Sequence, residues 1–361
     1  MAKPTVPKAE LKAAVDALLA GDLVAFPTET VYGLGADATN AQASMRIFAA
    51  KGRPADHPLI VHVAKDADLA EWVSDMPDIA EKLTAAFWPG PLTLILKKSR
   101  AIPAAVTGGQ ASVGLRCPSH PVAQKLLQEF SKMGSGLIAA PSANRFGHVS
   151  PTTAQHVRDE FGDSVRVLDG GPCSVGIEST ILDLTRMKTL KRAVILRPGA
   201  ITAQMIRDVT GEMPLAAEEV PSTRSKSPRA SGTLAAHYAP MTPLQLVESK
   251  DLKTEVDRVL ASGARVAVLS FGRSQSAASP VGVGIRNARP LVWITAERAP
   301  ASYAQMLYAN LRTLDAAQTA QILVEAPPVT PEWVAVNDRL GRASVGSGGQ
   351  GGEEQREDGA G

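Results

Sequence analysis

LVAFPTETVYGLG, residues 23–35, is the stretch from which the chain is best read. Its first four residues form an unbroken apolar run, the right length for a buried strand and too short for a helix. Pro27 ends the run. Thr28, Glu29 and Thr30 then place polar side chains at the strand's end, and Gly33 and Gly35 permit special backbone angles. Strand ends in mixed α/β folds open onto ligand clefts. Residues 27–35 are therefore expected to be a loop beside a cleft, although turn chemistry alone would also explain the two glycines.

On the N-terminal side, Leu11, Ala14, Val15, Leu18 and Leu19 follow helical spacing, and Gly21 is a good stop. On the C-terminal side, Asn40 is placed to cap a helix running to about Lys51. Strands are expected at Leu59–Val63, Thr93–Leu96, Ser112–Arg116, Leu137–Ala140, Val165–Leu168, Thr180–Leu184 and Val194–Leu196, with helices near 77–87, 121–132, 152–161 and 202–210. Ser150 reads as a helix cap with Pro151 at the first helical position. Strands mixed with helices in no regular alternation predict an α+β, mixed-sheet domain over residues 1–212. Residues 213–243 lose hydrophobic periodicity and gain Pro, Ser, Thr and charge, which reads as a linker. Beyond it, a helix near 251–262, the strands RVAVLSF, LVWI and QILVEA, and a helix at 300–314 with Tyr303, Met306, Leu307, Leu311 and Leu314 on one face predict a small α/β domain over 244–340. Residues 341–361 are Gly-rich and acidic and are expected to be a disordered tail.

Composition narrows the function classes. Lys and Arg total 38 against 36 acidic residues, a net charge of only +2. That argues against a protein held to nucleic acid by bulk charge. The two cysteines, Cys117 and Cys173, form no C-x-x-C pattern, so a disulfide framework or zinc knuckle is not expected. The N-terminal segment is amphipathic and not a signal core, and no apolar run approaches the roughly 20 residues of a membrane helix. A soluble, cytoplasmic chain is the expectation. There is no G-x-x-x-x-G-K-[ST] loop, no H-E-x-x-H, no G-x-S-x-G and no G-x-G-x-x-G between strand and helix.

Four segments remain whose polar residues exceed structural need. The first is PTETVYGLG. The second is Lys51-Gly-Arg53-Pro54 with His57 and His62; the two cations stand at a helix end, where they also suit the dipole, and two cations beside a cleft suit a polyphosphate. His62 lies in an apolar strand, where a lone histidine is usually a satisfied core residue. The third is Pro141-Ser142-Ala-Asn144-Arg-Phe-Gly-His-Val-Ser150, whose following helix would offer free backbone N–H groups to an anion. The fourth joins Gly176-Ile-Glu178-Ser179-Thr180 to two arginines, Arg116 and Arg197, each ending an expected strand. One such arginine is commonly a surface ion pair; two facing Lys51 and Arg53 would make a cationic pocket.

Taken together, PTETVYGLG, KGRP…HPLIVHV, WPGPLT, VGLR, APSAN…S, GIESTI and LRPG resemble the YrdC-like family in their order, over nearly all of residues 10–210. The run Arg229-Ala-Ser-Gly-Thr-Leu-Ala-Ala-His237-Tyr238-Ala-Pro240 and the two-domain layout resemble the long-form threonylcarbamoyl-AMP synthases of that family. The resemblance implies a twisted mixed sheet with flanking helices, plus a small Rossmann-like C-terminal domain. It implies a nucleotidyltransferase that joins L-threonine, bicarbonate and ATP with Mg²⁺, and needs no organic cofactor. Its product would be passed by other proteins to tRNA. By position, Thr30, His62, Arg116 and Ser179 would hold threonine, while Lys51, Arg53, Ser142, Asn144, Ser150 and Arg197 would contact ATP. Lys51 and Arg53 would act electrostatically, with no acid–base pair and no protein metal ligands. His57 stands where many relatives carry Asn. His237 and Tyr238 match an element that folds over the nucleotide. Two other readings use the same residues: a module that binds double-stranded RNA or tRNA without catalysis, and a related carbamoylation enzyme. Hydrogenase-maturation relatives carry zinc-finger segments, which two cysteines exclude.

Overall fold

The computed structural model describes residues 5–220, 227–272 and 290–348. It divides into two units: Met1–Phe146 with Ser150–Thr233, and Gly147–Val149 with Leu234–Gly361. The division at 233/234 falls inside the segment 213–243.

In the first unit, ten strands of described residues form one mixed sheet. They are β1 (Val24–Phe26), β2 (Gly33–Asp37), β3 (Ile60–His62), β4 (Leu92–Lys97), β5 (Ser112–Arg116), β6 (Ile138–Ala139), β7 (Arg166–Val167), β8 (Thr180–Asp183), β9 (Val194–Arg197) and β10 (Leu215–Ala216). Their order is β10-β9-β8-β4-β5-β3-β6-β2-β1-β7. The mixed-sheet expectation holds. Because side chains alternate between faces, each central strand has two jobs. Leu92, Leu94, Leu96, Val113, Leu115, Val61 and Leu182 go to one face, where they pack with Ile47, Phe48, Ala80 and Leu83 of the helices Ala41–Lys51 and Asp78–Phe87. Thr93, Ile95, Gly114, Arg116, Ile60, His62 and Ile181 are left for the other face. The apolar pattern on the first face pins the register, and that same register lines up the polar side chains on the second.

The expected loop over residues 27–35 is only partly a loop: Gly33–Asp37 is a strand, antiparallel to β1. A Cβ at Gly35 would lie 2.8 Å from both Ile138 Cγ2 and Phe26 Cε1. That glycine is there for lack of space inside the sheet, not for a turn. Ala41–Lys51 begins and ends as its sequence dictates. The Asn40 side chain accepts from Ala43 N, and Gly52 closes the helix at φ 62°.

Ser150 does not cap a helix. The helix is Ala154–Phe161, and its cap is Thr153, whose hydroxyl accepts from His156 N. Residues 150–152 lie before the helix, with the Pro151 carbonyl accepting from Tyr32 N, so the anion-binding helix end is not at Ser150. Within 213–243, Leu215–Ala216 pairs with β9; residues 221–226 lie outside the described residues.

The second unit contains a separate parallel sheet of β11 (Leu244–Val247), β12 (Val266–Ser270), β13 (Leu291–Thr295) and β14 (Gln321–Glu325), in the order β11-β14-β12-β13. This bears out the small α/β expectation. On Pro300–Ala316, Tyr303, Leu307, Leu311 and Leu314 are buried but Met306 is exposed, so it is not part of that face. A last helix, Val334–Gly346, buries Arg339, Leu340 and Ala343. Residues 341–346 are therefore helical and not a tail; the glycines at 341 and 346 concealed this. Residues 349–361 lie outside the described residues. No helix among the described residues is long and apolar enough to cross a membrane.

Candidate active site

The sheet register sets His62 of β3 beside Arg116 of β5, and Arg116 beside Thr93 of β4. Next in the row, Ile181 of β8 faces Arg197 of β9. The polar members stand at strand ends, as the sequence suggested for the two arginines. The loop after β1 closes over one end of the row. Glu29 Oε1 meets Arg116 Nη2 at 2.6 Å, with both side chains about 95% buried. Glu29 Oε2 accepts from Ser119 N at 2.9 Å. Thr28 Oγ1 donates to the Val31 carbonyl and lies 2.8 Å from Thr30 Oγ1, which fixes the loop as a hydroxyl-locked turn.

Two buried atoms in this row have no hydrogen-bond partner among the described residues: Arg116 Nε and His62 Nδ1. Burial, and then the Arg116 charge, lower the His62 pKa to about 3, against partial opposition from the Ile138 and Ile60 backbone. The ring is therefore neutral at physiological pH. It stands edge-on to Phe26 at 5.9 Å between centroids. An orphaned guanidinium nitrogen beside an orphaned neutral imidazole is an expensive arrangement for a plain core.

A cationic cluster adjoins the row. Lys51, the last residue of its helix, is buried and donates through Nζ to the carbonyls of Ser142, at 2.6 Å, and Asn144. Burial, then the neighbouring Arg53 charge, hold its pKa well below the ordinary lysine value, and Glu160 opposes this. The Ser142–Asn144 loop is stitched to the residue 27–34 segment by Leu34 N to the Pro141 carbonyl and Ala143 N to the Tyr32 carbonyl, both 2.8 Å. Arg53 Nη2 donates to the Pro58 carbonyl and to Ser231 Oγ. Arg197 grips the Ser179 carbonyl through Nε and Nη2, reaches Ser179 Oγ at 3.2 Å, and donates through Nη1 to the Ser231 carbonyl at 2.8 Å. Ser179 Oγ lies 2.8 Å from Thr93 Oγ1. Ser150 Oγ donates to Glu178 at 2.6 Å. His57 packs against Phe146, 5.6 Å between ring centroids, its pKa lowered by burial and then by Arg53.

On the same sheet face, one step along from the row at Ile60, Gly114 and Ile95 and sharing Ile181 with it, lies a small groove also lined by Gln110, Ser112 and Ser231. It adjoins the cations through Ser231, which hydrogen-bonds to both Arg53 and Arg197.

Thr30, His62, Arg116, Ser179, Lys51, Arg53, Ser142, Asn144, Ser150 and Arg197 thus all lie in the first unit, joined by short chains of contacts. His237 and Tyr238 belong to the second unit. There Tyr238 adopts φ 61°, stacks on Tyr308 at 5.7 Å and lies under the Arg339 guanidinium at 5.2 Å. His237 packs on the Tyr238 ring at 4.1 Å. Sequence reasoning gave no role to Glu29, Thr93, Glu178 or Ser231. A charged residue directly after a buried strand was the available signal for Glu29. For Thr93 it was one hydroxyl inside Leu-Thr-Leu-Ile-Leu.

Comparison with known proteins agrees along both units. Residues 16–199 match the family model Sua5_yciO_yrdC, described as telomere recombination. Residues 201–345 match a model described as the C-terminal domain of threonylcarbamoyl-AMP synthase. A Pyrococcus abyssi protein named threonylcarbamoyl-AMP synthase is 38% identical over 332 residues, covering 90% of this chain and 91% of its own. One of the same name from Bacillus subtilis is 38% identical over 330 residues, covering 90% of each. The crystal structure of P. abyssi Sua5 complexed with L-threonine matches with a TM-score of 0.83 at 35% identity, covering 95% of this chain and 96% of that one. On the family model and on these relatives, the chain belongs to the Sua5/YciO/YrdC family.

Proposed function

We propose that the chain is an L-threonylcarbamoyladenylate synthase, a nucleotidyltransferase that forms threonylcarbamoyl-AMP and pyrophosphate from L-threonine, bicarbonate and ATP. The observation that carries the reading is a pair of buried groups without a hydrogen-bond partner among the described residues, the Arg116 Nε–H donor and the His62 Nδ1 ring nitrogen, one hydroxyl chain away from the cationic cluster. A guanidinium with one edge held by Glu29 keeps its other nitrogens for a carboxylate. The neutral imidazole suits the amino end of the same molecule, because it adds no repulsion to an ammonium. Thr30 and Ser179 add hydroxyls for the side chain.

Threonine carboxylated on its amine carries an anionic carbamate, so its attack on the α-phosphorus needs no strong base. A carbamate O–P bond forms as the bond to the β-phosphate oxygen breaks, and pyrophosphate leaves. The obstacles are charge repulsion and charge on the leaving group, and Lys51, Arg53 and Arg197 with the hydroxyl and amide of Ser142 and Asn144 address both. Ser150 and His57 are assigned to the nucleotide, and by the resemblance so are His237 and Tyr238. Mg²⁺ is proposed to enter with the triphosphate and neutralise part of its charge; hard cations of this kind are commonly held by substrate phosphates, and no three His, Cys, Asp or Glu side chains converge among the described residues. The product serves threonylcarbamoyl-adenosine formation on tRNA through other proteins, in the cytoplasm.

Substrate omission tests the reading. Pyrophosphate release should require threonine and bicarbonate together. Release that ignores threonine, or RNA binding with no release, would refute it.

A further inference from the structure

Seven hydrogen bonds fasten residues 229–231 to the loops at residues 53–58 and 108–110 and to Arg197, all within the first unit. Arg229 N donates to Gln110 Oε1 at 2.7 Å, and Gln110 Nε2 returns a bond to the Arg229 carbonyl at 3.2 Å. The Arg229 guanidinium spans the Asp56 carbonyl at 3.1 Å and the Gly108 carbonyl at 2.6 Å. Those two loops touch so closely that a Cβ at Gly108 would lie 2.0 Å from the Asp56 oxygen, which brings both carbonyls within reach of one guanidinium. From it the chain reaches Ser231, whose hydroxyl donates to the Pro58 carbonyl at 2.8 Å and accepts from Arg53 at 3.2 Å. The Ser231 carbonyl accepts from Arg197 at 2.8 Å.

We infer that Ser231 is a positioning residue for both arginines of the phosphate cluster, and that Arg229 is the pin that holds it in place. The inference rests on the reading of Arg53 and Arg197 as phosphate-binding groups. The hydroxyl serves the Arg53 arm and the carbonyl serves the Arg197 arm. Arg197 in turn grips Ser179 on the threonine side, so one residue of an irregular segment ties the two substrate subsites together. Ordering a guanidinium before the ligand arrives removes that entropy cost from binding. The arrangement has a chemical consequence besides. Ser231 can replace its hydroxyl without losing its carbonyl, so the two arms are separable by substitution.

Binding of ATP and of threonine is measured by calorimetry on the full chain, with thermal unfolding alongside. Ser231→Ala should weaken ATP about ten-fold, the scale of one hydrogen bond to a charged group, and leave threonine affinity unchanged. Ser231→Thr should restore ATP binding. Arg229→Ala frees both arms and should weaken ATP and threonine alike. Equal ATP affinity in Ser231→Ala and wild type would overturn the inference. So would a uniform loss of both ligands in Ser231→Ala accompanied by a lower Tm, which marks a merely structural residue. If wild type itself binds no ATP, the phosphate reading fails instead, and the two failures are distinguishable.

Discussion

Glu29→Ala removes the one anion that, among the described residues, stands against the Arg116 guanidinium in salt-bridge contact. The side chains are 5% and 4% exposed, so solvent cannot substitute for the lost partner. Breaking a buried pair by deleting one member typically costs about 3–5 kcal/mol, against about 0.2–1 for an exposed one. At about 2–4 °C per kcal/mol for a domain of 150–250 residues, that is a fall in Tm of about 6–20 °C. Glu29→Gln, which keeps an oxygen for Ser119 N, should recover part of the loss. The combination Glu29→Ala with Arg116→Met should be more stable than Glu29→Ala alone, because the stranded charge is gone. Urea denaturation of the unsubstituted protein, these three variants and Arg116→Met, with thermal unfolding beside it, provides the assay. A loss below about 1 kcal/mol in Glu29→Ala, or a double variant that loses the sum of the single ones, would refute the claim that an uncompensated buried cation sets the cost.

Lys51→Ala and Arg53→Ala should each lower the rate of adenylate formation by about 10²–10³, the usual cost of one charge-stabilising donor, with far-UV circular dichroism unchanged; near-normal turnover in both would remove their phosphate role. The depressed Lys51 pKa predicts proton uptake on ATP binding, because triphosphate favours the charged amine. ATP affinity should therefore fall as pH rises through the ligand-free pKa of Lys51, and calorimetry in buffers of different ionisation enthalpy should register the proton. Lys51→Arg should flatten that dependence. His62 is neutral when folded, with a pKa of about 3, whereas an unfolded chain takes the proton below about 6.5. Its contribution to stability is thus present above pH 6.5 and is lost progressively as pH falls toward 3; His62→Gln should show a shallower decline in denaturant titrations across that window.

Much of the fold was legible because its signals are local. Asn40 and Gly52 bracket a helix by capping chemistry alone, and the β4 pattern Leu-Thr-Leu-Ile-Leu declares a strand with two different faces. The failures share a physical origin, since they occur where a residue's purpose is tertiary. Gly35 looked like a turn residue because nothing in the sequence reveals Phe26 and Ile138 pressing on that position. Ser150 looked like a cap, but Glu178, 28 residues on, claims its hydroxyl. The final helix was hidden by two glycines, whose cost is offset by burying Val336, Leu340 and Ala343. β11 went unnoticed since only Leu244 and Val247 of its four residues are buried.

At the candidate site, the motif residues could be named from sequence, yet their grouping could not. That His62 and Arg116 face each other depends on a parallel pairing of β3 with β5, and no single segment encodes that. Glu29 and Ser231 escaped because their importance lies in what they hold, across 87 and 178 positions of sequence.

The most direct measurement supplies ¹³C-bicarbonate, threonine, ATP and Mg²⁺ to the purified chain and weighs the adenylate by mass spectrometry. A threonylcarbamoyl-AMP carrying one ¹³C, absent when threonine is omitted and absent in Lys51→Ala, is the expected result. An unlabelled adenylate, or none while ATP is still consumed, would contradict a shared hollow for amino acid and triphosphate.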